Sequence, residues 1–115
     1  MKLRLALAQI NPTVGDLVGN SALITQSVSQ ALDAGAHLVV FPEMVLTGYP
    51  VEDLALRPSF QAASKEALAQ LARTINPGIV AIVGYLDQVA GSDGAKKPQN
   101  KVAVIAGGTI KASYA

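Results

Sequence analysis

The chain has 115 residues, with nine Lys or Arg, eight Asp or Glu, one His, neither Cys nor Trp, and a formal net charge of +1. That length fits one domain, and 50% apolar against 15% charged residues describes a packed core rather than a disordered segment. The near-neutral balance gives no electrostatic footprint for nucleic acid or an anionic membrane, and zero Cys excludes a disulfide framework, a thiolate metal site and a Cys nucleophile within these residues.

Mean hydropathy is positive, +0.36, yet the apolar residues come in short runs such as Leu38-Val39-Val40-Phe41, well below the roughly 20 needed to span a bilayer. At the N-terminus Gln9 and Asn11-Pro12 end the first apolar stretch early and no small-residue cleavage site follows, so the segment reads as mature cytoplasmic protein rather than a signal peptide. Residues 3–10 alternate, with Leu3, Leu5 and Leu7 on one face and Arg4, Ala6 and Ala8 on the other, which predicts an opening strand. Residues 11–16, Asn-Pro-Thr-Val-Gly-Asp, form a turn, because Pro removes a donor and disfavours the helical region for the residue before it.

From Leu17 to about Ala34 the spacing of Leu17, Ile24, Val28, Ala31 and Leu32 is helical, with Gly35 at the stop. Residues 36–41 are a continuous apolar run of the kind found in a strand buried on both faces. Strand, helix and buried strand make a βαβ unit with a right-handed crossover. A second helix is predicted from about Ser59 to Ile75, ended by Asn76-Pro77-Gly78, and a third buried strand over residues 79–86. Residues 91–98 read as an exposed loop. Two short strands around Gly107-Gly108 make a hairpin, since the Gly pair can take the positive φ of a tight primed turn. The class is α/β with a mixed sheet. The last strand is still running at Ala115, an unprotected edge of the kind complete proteins usually cover or charge, and the chain therefore reads as a piece of a longer protein.

In α/β sheets ligands bind beyond the carboxyl ends of the strands. Glu43 sits at such an end, behind Phe41-Pro42. A carboxylate backed by an apolar run is open to desolvation and so to general-base work; the alternative is an exposed loop carboxylate or a cap. His37 has no partner at ligand spacing and reads as structural. Residues 91–97 lack the spacing and hydroxyl of a phosphate-cradling loop, Gly107-Gly108 is a turn rather than a dinucleotide fingerprint, and no pair of carboxylates has metal-ligand spacing.

The string Phe41-Pro42-Glu43 after Leu-Val-Val resembles the nitrilase, or carbon-nitrogen hydrolase, superfamily. Its continuation through Met44-Val45-Leu46-Thr47-Gly48-Tyr49-Pro50-Val51-Glu52-Asp53-Leu54 to Phe60, together with Gln9 to Asn20, is similar to the N-terminal glutaminase domain of the glutamine-dependent NAD synthetase family. The resemblance implies that residues 1–115 are the first half of an α-β-β-α sandwich with a mixed sheet, and part of a glutaminase domain whose synthetase domain is absent from this chain. It implies a Glu–Lys–Cys triad in which the thiolate attacks the side-chain amide of glutamine, Glu accepts a proton and Lys stabilises the oxyanion. By that match Glu43 is the proton acceptor, and Tyr49 shapes the glutamine pocket or the ammonia exit. Ammonia would amidate nicotinic acid adenine dinucleotide in the missing synthetase domain with ATP and Mg²⁺, and the full-length enzyme would be a homo-oligomer.

The departures are equally informative. No Cys is present, and the family's Lys aligns just beyond Ala115, which leaves Lys111 unassigned. The chain alone is therefore expected to be inactive. Two other readings remain open on the residues: another nitrilase-superfamily amidase, and a non-catalytic α/β interaction module.

Overall fold

A computed structural model describes residues 2–115. In chain order it contains β1 (Leu5–Leu7), α1 (Leu17–Asp33), β2 (Leu38–Val40), a 3-10 turn (Glu52–Leu56), α2 (Pro58–Thr74), β3 (Val80–Ala90), β4 (Lys96–Ala106) and β5 (Thr109–Tyr114). The strands form one sheet in the order β1-β2-β3-β4-β5. β1–β2 and β2–β3 pair in parallel, and β3–β4 and β4–β5 antiparallel. The expected α/β class with a mixed sheet is what the chain adopts. Its parallel half is bridged by helices, as parallel neighbours require, and its antiparallel half by tight turns.

Both helices begin and end where their sequences dictate. The Asp16 carboxylate accepts the Gly19 N–H at 2.9 Å and caps α1. At the other end Gly35 adopts φ +81°; its N–H donates to Leu32 O and that of Ala36 to Ala31 O, both at 2.9 Å. That pair of bonds closes a Schellman motif, which needs a residue able to enter the left-handed region. α2 opens with Pro58, whose missing N–H is harmless in the first turn, and stops one residue before Asn76-Pro77.

The helices cover one face of the sheet. Ile24 and Val28 of α1 and Leu68 and Leu71 of α2 close on Val39, Ala81, Val83, Ala103 and Ile105, all buried. Period-two alternation sends Leu38, Val40, Val80, Ile82, Val102 and Val104 to the other face, where they are only half-buried. On β1 the split is sharper: Ala6 packs against the core, while Leu5 and Leu7 are 49% and 70% exposed. The prediction that residues 36–41 and 79–86 are buried on both sides is thus corrected to one side for residues 38–40 and 80–83, while residues 84–86 are buried on both, with Met44 and Val51 covering Leu86. A continuous apolar run does not report which of its faces has a neighbour.

The exposed loop expected at residues 91–98 is shorter than predicted. β3 runs on to Ala90 and β4 starts at Lys96, with Pro98 opposite Gln88. Only residues 91–95 turn, closed by Gly91 N–H to Ala95 O at 2.6 Å and by Gly94 at φ +82°. Lys96 and Lys97 gave the segment its loop-like composition because this end of the hairpin is solvent-exposed.

Candidate active site

The residues around Glu43 are held by β3. Beyond Val40 the chain leaves β2 but keeps bonding to its neighbour: Phe41 N–H donates to Ile82 O at 3.0 Å, and Leu46 N–H to Gly84 O at 3.2 Å. Between these two anchors residues 42–45 arch over Gly84. A Cβ at that glycine would lie 2.5 Å from Met44 N and 2.9 Å from Pro42 O, so the close approach of two backbones requires Gly there. Met44 completes the arch at φ +53°, an uncommon conformation for a residue with a side chain. Its buried side chain packs with Val51 and Leu86.

A second set of contacts ties this arch to the turn before α1. Asn20, 1% exposed, accepts the Thr13 N–H at 2.8 Å and donates to Thr13 O at 2.8 Å and Leu46 O at 3.0 Å. One amide thereby satisfies three backbone groups in two loops far apart in sequence. Gly15 N–H bonds Thr47 O at 2.8 Å. Gly48, at φ +79°, passes so close to Val14 that a Cβ would meet its backbone at 2.7 Å.

Glu43 itself is exposed, at the rim of an open hollow of about 270 Å³ on the helix-free face. Val40, Ile82, Val102 and Tyr114 supply its apolar walls. The carboxylate stays exposed: of the run behind it Val39 and Phe41 are buried on the helix side, whereas Leu38 and Val40 lie half-buried on the open face. Its Oε1 accepts a hydrogen bond from Asn100 Nδ2 on β4. The arrangement is a carboxylate with one oxygen held and the other free, beside an apolar surface, a setting suited to accepting a proton from a bound group.

The residue after Asn100 goes the other way. Lys101 points to the helix face, where its Nζ lies 2.9 Å from Asp87 Oδ2; Lys65 on α2 stands 3.8 Å from Oδ1. Tyr85 donates its hydroxyl to Asp87 at 3.3 Å. Burial pushes the Asp87 carboxyl up, but its bonds from Lys101 and the Gln88 N–H outweigh that and hold it below the ordinary carboxylate value. The same hydrogen bond raises Lys101, and burial raises Tyr85. This cluster is a structural ion network on the side of the sheet away from Glu43.

Tyr49 is 68% exposed and stands outside the residues that line the hollow, as does the exposed Lys111. The Tyr49–Pro50 peptide is cis. His37 is structural, its Nδ1 accepting the Arg4 N–H at 2.9 Å where β1 and β2 meet. Among the described residues no group of three or more His, Asp or Glu side chains comes together to hold a metal ion.

Sequence reasoning missed Asn20, Gly84 and Asn100, and each carries a signal. Asn20 occupies an apolar position of the α1 stripe that contains Leu17, Ile24 and Val28. Gly84 is a lone glycine inside a strand, a mark of close backbone approach. Asn100 is a polar side chain on the face shared with Val102 and Val104.

The chain has close relatives in sequence and in fold. The chain is 40% identical over 114 residues to a glutamine-dependent NAD(+) synthetase of Thermotoga maritima, an alignment covering 98% of this chain and 19% of that protein. Among solved structures, a glutamine-dependent NAD(+) synthetase of Acinetobacter baumannii in complex with ADP superposes with a TM-score of 0.84 at 33% identity, over 97% of this chain and 20% of that one. The corresponding enzyme of Cytophaga hutchinsonii gives 0.86 at 25% identity, over 96% and 18%. The chain thus spans about a fifth of the length of these relatives. The carbon-nitrogen hydrolase pattern matches residues 4–115, and the chain belongs to that family.

Proposed function

We propose that this chain is the N-terminal part of a cytoplasmic glutamine-dependent NAD synthetase, and that it contributes Glu43 as the proton acceptor of the glutaminase site. Residues 1–115 would then form part of the carbon-nitrogen hydrolase domain, whose Cys nucleophile and oxyanion-stabilising Lys lie in sequence that follows. Glutamine is the substrate of that domain. The released ammonia serves an ATP- and Mg²⁺-dependent ligase domain that amidates nicotinic acid adenine dinucleotide, in an enzyme that assembles as a homo-oligomer. Tyr49 is assigned to the glutamine pocket or the ammonia exit.

The observation that supports this reading is the position of Glu43: a carboxylate at the carboxyl end of a parallel strand, on a backbone arch braced by Gly84 and Asn20, with one oxygen free. A thiol is a weak nucleophile until a base removes its proton, and a fixed carboxylate meets that need. In the complete enzyme Glu43→Gln is expected to abolish glutamine-dependent NAD synthesis, by about 10²-fold or more, and to leave synthesis from free ammonia intact. Equal loss of both activities would remove the assignment. The 115-residue chain alone should release no ammonia from glutamine.

A further inference from the structure

We propose that Asn100 is the positioning residue of this site, holding the Glu43 carboxylate in one orientation so that its second oxygen faces the reacting group; the proposal rests on Glu43 being the proton acceptor. The arch over Gly84 fixes the backbone of Glu43 but not its three side-chain torsions, and the side chain is exposed. An exposed Glu samples several rotamers unless something holds it, and a base must stand within about 2.6–3.2 Å of the proton it takes. Among the described residues the only side-chain hydrogen bond to the carboxylate comes from Asn100 Nδ2. Asn100 is well placed to give it. It lies within β4, opposite Leu86 in a ladder of ten opposed residue pairs.

The chemistry of the donor matters as much as its position. A neutral amide holds Oε1 without bringing a positive charge to a group that must accept a proton. The cation next door is kept away, because strand alternation turns Lys101 to the opposite face, where Asp87 engages its ammonium at 2.9 Å. Adjacent residues of one strand are thus divided between the two faces, the amide for the base and the ammonium for the ion cluster.

The test uses the complete enzyme with Asn100→Ala and Asn100→Asp, alongside Glu43→Gln. For Asn100→Ala, kcat for glutamine hydrolysis should fall about 10- to 100-fold, with KM within about twofold and ammonia-driven synthesis unchanged. Asn100→Asp puts a second carboxylate against Oε1. The pair then shares a proton, and the acid limb of the pH–rate profile should move to higher pH; Tyr114 at the hollow is unaltered, and the Lys101 ammonium stays with Asp87 on the opposite face. If both variants keep wild-type kcat and pH profile while Glu43→Gln is inactive, Asn100 does not position the base and the reading of Glu43 stands. If KM and ammonia-driven synthesis collapse together with kcat, the role is structural and the proposal is overturned. If Glu43→Gln retains glutaminase activity, the reading of Glu43 fails, and this proposal with it.

Discussion

On the helix side of the sheet Val83 and Ile105 have no exposure at all, whereas Ile82 and Val104, one residue away on the same strands, are half open. Both faces are apolar, and on this chain only the first is a core. The second carries the hollow, the Glu43 arch and the Asn100 amide, with a small satellite cluster of Met44, Val51 and Leu86. Stability and proposed chemistry are therefore assigned to opposite sides of one sheet, and the alternation of β3 and β4 decides which residue serves which. A substitution at position 105 addresses the packing; one at position 100 addresses the proposed base.

That division can be broken experimentally, beginning with the largest difference. Ile105→Ala should destabilise the chain by about 2–5 kcal/mol, since it opens a cavity where nothing can collapse inward. Ile82→Ala, on the open face, should lose only about 1 kcal/mol of transfer free energy. Urea unfolding of the two variants measures the gap, and equal losses would show that the open face is packed as tightly as the covered one. Gly84→Ala comes next, at about 1–3 kcal/mol, because the added methyl meets the backbone of Pro42 and Met44 rather than a side chain that can swing aside. In the complete enzyme it should also depress glutamine turnover by lifting the arch that carries Glu43. A stable but catalytically normal Gly84→Ala protein would mean that the arch is slack.

The smallest effect belongs to Asp87. Its folded value lies below that of a free carboxyl, so its contribution is complete above about pH 4, the unfolded value, and is lost as pH falls through the lower folded value. Asp87→Asn should leave the acid side of the urea-midpoint profile flatter below about pH 4 than in the wild type. An identical slope in both proteins would show that the ion cluster adds nothing measurable. Lys65, 62% exposed, is expected to add little, as solvent-exposed ion pairs do.

How far the sequence alone reaches can be judged from particular residues. The βαβ unit, the Asp16 and Gly35 helix limits, and Glu43 at a strand end follow from local rules, because caps, periodicity and proline act within a few positions. Asn100 facing Glu43 does not, since their separation of 57 residues is bridged only by the register of β3 against β4. Lys101 meeting Asp87 depends on the same register. The open face was misjudged for a related reason: hydrophobicity states that a residue prefers cover, not whether cover is present. Tyr49 is assigned through resemblance alone, and the structure puts it on the surface outside the hollow.

The span between Glu43 and Asn100 also has a meaning in time. A chain emerging at about 5–20 residues per second presents Glu43 about 3–11 s before the amide that orients it, and the Gly84 floor of the arch arrives in between. During that interval the carboxylate is an ordinary flexible acid on an unfinished sheet. On the proposed reading it becomes a directed base only when β4 has been made and zipped onto β3, so the geometry of the site is a late product of synthesis even though its central residue is an early one.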